Sequence, residues 1–150
     1  MIESYIILGE YMKIEKLNVT DYKIYYYKKQ LDEKSLYNDI KELIKKVQKR
    51  LKLKGFYKVL AVNKKIGLFL ILKKIEDNFY RNTLDFKIEI SDLDVYFKTN
   101  DYFVIKDLSD IKYKDGMFYC VVDESFDKIL EKVEFGDFLV GYDDVKLVKI

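Results

Sequence analysis

Histidine is absent from the 150-residue chain, so no Ser–His or Cys–His nucleophile pair can be assembled within it. The zinc ligand sets that use His go with it, and a single cysteine, Cys120, cannot build the thiolate sets. Cys120 stands in the apolar run from Met117 to Val122, without the cationic neighbours that make a thiol reactive, and is expected to be buried and structural. What remains is carboxylate chemistry. Asp92 and Asp94 share a face if their segment is extended, and Asp143 and Asp144 adjoin in a turn. Such pairs can hold Mg²⁺ or do acid–base work, but no third ligand or helping base accompanies them, so solvated turn or edge residues are expected. Lys64-Lys65-Ile66-Gly67 has neither the glycine spacing nor the Lys-Ser/Thr ending of a phosphate loop. Gly136 and Gly141 are too far apart for a dinucleotide turn. The expectation is a non-enzyme holding no metal and no cofactor.

Charge is the more informative signal. Residues 1–75 carry 18 basic and 8 acidic side chains, net +10, and residues 76–150 carry 10 and 18, net −8. The chain has no Pro, where average usage gives about seven. It is rich in Lys, Ile, Tyr, Phe and Asn, the usage of a low-GC genome, which discounts the number of lysines but not their position. Asymmetry between halves suggests an oriented partner, or two halves that neutralise each other. The basic excess concentrates in Lys41, Lys45, Lys46, Lys49, Arg50 and Lys52, which form the candidate interaction surface, with Lys54 just beyond. Lysines on one helix could grip phosphates, and Tyr25, Tyr26, Tyr27 and Tyr57 could stack on bases. Against nucleic acid stand the scarcity of Arg (Arg50 and Arg81), a pI near 8.3 and the acidic second half.

These residues need elements to hold them. Leu36, Ile40, Leu43, Ile44, Val47 and Leu51 fall on one stripe at helical spacing, predicting an amphipathic helix over about 35–54. Ser35 or Asp32 would cap its start, and Gly55 would supply a left-handed stop. Strands are predicted at Tyr22–Lys28, Phe56–Val62, Ile66–Ile75, Leu84–Ile90, Val95–Thr99, Tyr102–Ile105, Ile111–Tyr113, Met117–Val122, Phe138–Val140 and Val145–Ile150. Ile14–Leu17 would pair with Tyr22–Lys28 in a first hairpin. Asn100-Asp101 and Lys114-Asp115-Gly116 read as turns, and residues 125–133 as a short helix. The apolar start, Tyr5-Ile6-Ile7-Leu8, reads as a strand ended by Gly9. If Met12 is the true start, residues 1–11 are an N-terminal extension.

The fold class is therefore α+β, a largely antiparallel sheet with one long amphipathic helix (35–54) and one short helix (125–133). A chain of this length suits a single domain, 1–150, with a candidate sub-boundary at 76–82 where the charge changes sign. No apolar run approaches the roughly 20 residues that span a bilayer, and no secretory signal pattern opens the chain. A cytoplasmic protein without a membrane partner is expected.

Met12-Lys13-Ile14-Glu15-Lys16-Leu17-Asn18, then a strand, a helix, and a strand after Gly55, resemble the start of the MecA-type adaptor family. Tyr113-Lys114-Asp115-Gly116-Met117-Phe118-Tyr119 and Glu134-Phe135-Gly136 resemble motifs of that family's C-terminal domain. The resemblance implies an adaptor that presents substrates to Clp unfoldase–protease machines in low-GC Gram-positive bacteria, and it assigns no binding residue. The preferred expectation is a protein-interaction module, adaptor or regulator, that meets another protein through charged surfaces. The alternatives are a nucleic-acid-binding protein using the helix over 35–54, and a structural domain of a low-GC bacterium or phage without small-molecule chemistry. Opposite charges on one chain also permit homo-oligomers.

Overall fold

The computed structural model describes residues 2–7, 10–27, 32–65, 67–76, 83–108, 110–122, 136–141 and 148–149. The chain is divided into two compact units, Met1–Ser91 and Asp92–Ile150. The class is α+β, and the described residues form two sheets rich in antiparallel pairing, one long helix and one short one.

The first unit opens with an antiparallel meander of β1 (Ile2–Ile7), β2 (Glu10–Lys16) and β3 (Tyr22–Tyr27). Residues 2–7, part of the segment set apart in the sequence as an extension, thus form the strand beside β2. The β2–β3 turn is held by Asn18, whose side-chain oxygen accepts the backbone N–H groups of Thr20 and Asp21, each at 2.9 Å. Helix α1 (Leu36–Leu51) leads to β4 (Gly55–Lys64), which hairpins into β5 (Gly67–Glu76), and β6 (Leu84–Ile90) follows. The order across the sheet is β1-β2-β3-β5-β4-β6, with β6 parallel to β4 and the other pairs antiparallel. β5 is therefore hydrogen-bonded on both sides. Its apolar residues are buried on both faces, Leu68, Leu70 and Leu72 in the core shared with the helix and Phe69 against Tyr25 on the other face.

The α1 stripe does what its spacing predicts. Leu36, Ile40, Leu43, Ile44 and Val47 form one core with Met12, Ile14, Ile24, Tyr57, Val59, Ala61, Leu68, Leu70 and Leu72. Strand alternation puts these sheet residues on one face, and each large side chain buried there contributes about 1.5–3 kcal/mol. The helix ends differ from the sequence expectation. Ser35 stands at the first cap position, but its hydroxyl meets the Asp39 carboxylate at 2.9 Å instead of a backbone N–H. Asp32 accepts the Lys34 N–H one turn earlier, at 3.0 Å. The left-handed stop falls on Lys52, with φ 52°, and not on Gly55, which already begins β4.

The described residues of the second unit include a five-stranded sheet of order β10-β7-β9-β8-β11, built from β7 (Val95–Thr99), β8 (Lys112–Lys114), β9 (Met117–Val121), β10 (Asp137–Val140) and β11 (Val148–Lys149). All its pairs are antiparallel. Asp115 and Gly116, both at positive φ, make the two-residue turn between β8 and β9, the geometry that Asp-Gly favours. Gly136 abuts the Phe97 ring and the Lys98 carbonyl so closely that a side chain there would collide with them. Phe97 and Phe138, both buried, pack with tilted rings whose centres are 5.3 Å apart.

One predicted strand is overturned. Tyr102–Ile105 is not a strand but a short helix, α2. Asp101 caps it, its carboxylate accepting the Phe103 N–H at 3.0 Å, and Thr99 Oγ1 accepts the Asp101 N–H at 3.1 Å. The Asn100-Asp101 pair that reads as a turn is a helix start, and local capping outweighs the strand preference of Tyr, Phe, Val and Ile. The helix predicted over 125–133 lies outside the described residues. So does the candidate boundary at 76–82, apart from Glu76 at the end of β5.

Candidate functional site

The charge split follows the two units closely. Residues 1–91 carry 20 basic and 12 acidic side chains, and residues 92–150 carry 8 and 14. Helix α1 gives the first unit its densest basic region, because its apolar stripe is pinned to the sheet and most cations between the stripe positions are turned outward. Lys45, Lys46, Lys49, Arg50 and Lys52 are exposed, and Lys41 is half-buried.

The six cations differ in how they are held. Lys41 Nζ lies 4.6 Å from the centre of the Tyr37 ring, a cation–π contact within the first half of the helix. Lys45 meets Glu42 one turn back at 3.4 Å, in a pair whose side chains are 62% and 68% exposed, so the attachment is weak. Lys49 and Arg50 occupy the last turn, where they complement the negative end of the helix dipole. Lys52 is fixed through its backbone, its N–H donating to the Gln48 carbonyl at 2.8 Å. Gln48 Nε2 in turn donates to the Leu53 carbonyl at 3.2 Å, which tightens the exit from the helix. Lys46, Lys49, Lys52 and Lys54 have no carboxylate within ion-pair distance among the described residues. The ammonium groups are thus displayed on flexible stems above a backbone fixed by the core.

The other sequence candidates fare differently. Tyr25, Tyr26 and Tyr57 are only 3%, 7% and 3% exposed, so they cannot offer faces to nucleobases. Tyr25 stacks on Phe69 with ring centres 4.8 Å apart. Tyr57 donates its hydroxyl to the Thr20 carbonyl at 2.9 Å. The Tyr27 side chain lies outside the description. Cys120 is buried in β9, as its apolar run predicts. Asp92 and Asp94 are exposed in the connection between β6 and β7, and Asp143 and Asp144 lie outside the described residues. Among the described residues, no three His, Cys, Asp or Glu side chains group as metal ligands, and no helix is long and apolar enough to cross a membrane.

One polar cluster escaped the sequence reading. Asp21 accepts hydrogen bonds from Asn18 at 2.9 Å, Thr20 at 3.1 Å and the Lys74 backbone N–H at 2.9 Å. The last bond clasps the β2–β3 turn onto β5. Burial pushes the Asp21 carboxyl up, but the bonds from Asn18, Lys74 and Thr20 and the nearby charge of Lys73 outweigh it and hold it below its ordinary value. The only sequence signal was an Asn-x-x-Asp turn. The Lys74 partner is 53 residues away. A second polar pair, Lys23 and Glu15, meets at 3.1 Å directly across β2 and β3.

Comparison with known proteins found no matching family model, no matching curated protein and no matching solved structure.

Proposed function

We propose that the chain is a non-enzymatic interaction module, an adaptor or regulator, whose basic α1 face docks an acidic surface of another protein. The observation that carries this reading is the outward display of Lys45, Lys46, Lys49 and Arg50 on a helix whose opposite side is locked into the core, with Lys52 exposed at its end. A rigid backbone bearing mobile cations favours electrostatic docking, in which opposite charges steer the encounter and salt weakens it. The burial of Tyr25, Tyr26 and Tyr57 favours a protein partner over single-stranded nucleic acid, since stacking supplies much of the affinity for the latter.

The test compares the wild-type chain with a Lys45→Glu, Lys46→Glu, Lys49→Glu triple variant. Both are immobilised, exposed to native lysate and washed at rising salt. Proteins retained by wild type at low salt are expected to leave as salt rises and to be missing from the variant. Retention that ignores both salt and the substitutions overturns the reading. A gel-shift at low salt with generic DNA and RNA addresses the other polyanion. Retardation by wild type that the variant loses would transfer the α1 face to nucleic acid.

A further inference from the structure

Strand β6 ends the six-stranded sheet, and no described strand pairs with its outer edge. Its backbone polarity follows from its bonds to β4. The Thr83 carbonyl accepts the Gly55 N–H, and the Ser91 N–H donates to Ala61. With the continuous parallel register Gly55↔Leu84 through Ala61↔Ile90, these two bonds fix the odd-numbered residues of β6 as those bonded to β4. The N–H and C=O groups of Leu84, Phe86, Ile88 and Ile90 therefore point away from the sheet. Among the described residues no strand takes up these donors and acceptors, and an edge with such a row is a template for another strand.

The side chains are equally ordered. Leu84, Phe86 and Ile88 lie half-buried at the margin of the core, and Ile90 is 49% exposed. On the opposite face Asp85, Lys87 and Glu89 are exposed and alternate in sign, and Glu89 also meets Lys58 of β4 at 3.1 Å in a half-exposed pair that leaves its second oxygen for a partner.

We propose that β6 is a self-association edge, pairing antiparallel with β6 of a second copy about a two-fold axis. The outward groups belong to even-numbered residues, so only registers that set even against even make hydrogen bonds. Three such registers keep most of the strand paired. Centred on Lys87, the pairing sets Lys87 against Lys87 and Asp85 against Glu89, all repulsive. Centred on Ile88, it sets Lys87 against Glu89 twice and Phe86 against Ile90. Centred on Phe86, it sets Asp85 against Lys87 twice and Leu84 against Ile88. The last two join opposite charges on one face and cover half-buried apolar residues on the other. Charge complementarity thus selects a second copy as the occupant and excludes the central register.

Sedimentation of the full chain across a concentration series tests this. The wild type is expected to dimerise reversibly, and Lys87→Glu to weaken the dimer about tenfold or more, since it turns two attractive cross-strand pairs repulsive. Adding Glu89→Lys to Lys87→Glu restores the dimer if the axis passes through Ile88. Adding Asp85→Lys restores it if the axis passes through Phe86. All these side chains are exposed, and circular dichroism checks that each variant folds. A wild type that stays monomeric to its solubility limit overturns the proposal, as does a dimer indifferent to Lys87→Glu or rescued by neither second substitution.

Discussion

On the side of α1 that meets the sheet, Leu36, Ile40, Leu43, Ile44 and Val47 are buried, while Lys45, Lys46, Lys49 and Arg50 on the other side are exposed. The two sides interleave along the same 16 residues, yet they answer to different physics. The inner side is held by removal of apolar surface from water, an effect that scales with area and is insensitive to salt at the levels that screen charges. The outer side gains little folding energy, because exposed charges are well solvated and their pairs are worth about 0–1 kcal/mol. A residue on the inner side is therefore readable as structural from its period alone. A residue on the outer side is free to serve binding because folding asks little of it.

Three substitutions would break or sharpen that contrast. The largest effect belongs to Ile44→Ala, which removes a side chain only 1% exposed and should destabilise the first unit by about 2–5 kcal/mol in urea unfolding. Binding by the remaining folded fraction should be unchanged. A loss of affinity without a loss of stability would erase the distinction between the two sides.

Asp21→Asn tests whether a charged residue can belong to the structural class. Its carboxylate clasps Lys74 and is held below its ordinary value, so the substitution should cost about 1–2 kcal/mol at neutral pH. The sign of the pH dependence follows from the lowered folded value. The carboxylate's contribution is fully present above the unfolded value of about 3.9 and is lost as pH falls through the folded one. The stability gap between wild type and variant should therefore close on acidification below about pH 4. A gap that stays constant in acid would mean that the charge of Asp21 has no part in the clasp.

Lys52→Gly should have the smallest effect and opposite signs on the two properties. Lys52 occupies a left-handed conformation, φ 52°, that glycine adopts without a steric penalty. Thermal unfolding should show a gain of up to about 1 kcal/mol. Affinity for an acidic partner should fall modestly with the lost charge. A loss of stability would show that the Lys52 side chain packs, placing it on the structural side of the comparison.

How far the sequence could be read depended on the range of the determining interaction. α1 was legible because its period repeats over four turns and shows which face is buried. The Asp115-Gly116 hairpin was legible because positive φ at two successive residues has few sequence solutions. Strands β6 and β7 have the predicted boundaries, Leu84–Ile90 and Val95–Thr99, because aromatic and β-branched residues are bounded there by polar ones. α2 was misread because a four-residue segment has too little period to oppose strand propensity, and the deciding bond was a single cap from Asp101. The helix stop was misplaced by three residues because Gly55 offered the favoured chemistry and Lys52 adopted the conformation. The candidate surface on α1 was legible as a list of cations. The burial of Tyr25, Tyr26 and Tyr57 was not, since aromatic residues suit a strand on either face.

By itself the sequence determined the fold class, the long helix with its inner and outer sides, and the basic bias of the first half, because each rests on composition or on contacts between near neighbours. Only the tertiary structure decided that β5 runs between β3 and β4, that Asp21 reaches Lys74, and that β6 ends its sheet with outward backbone groups. Those facts depend on pairings between residues distant along the chain, and a local pattern of side chains carries no record of which strand will lie beside which.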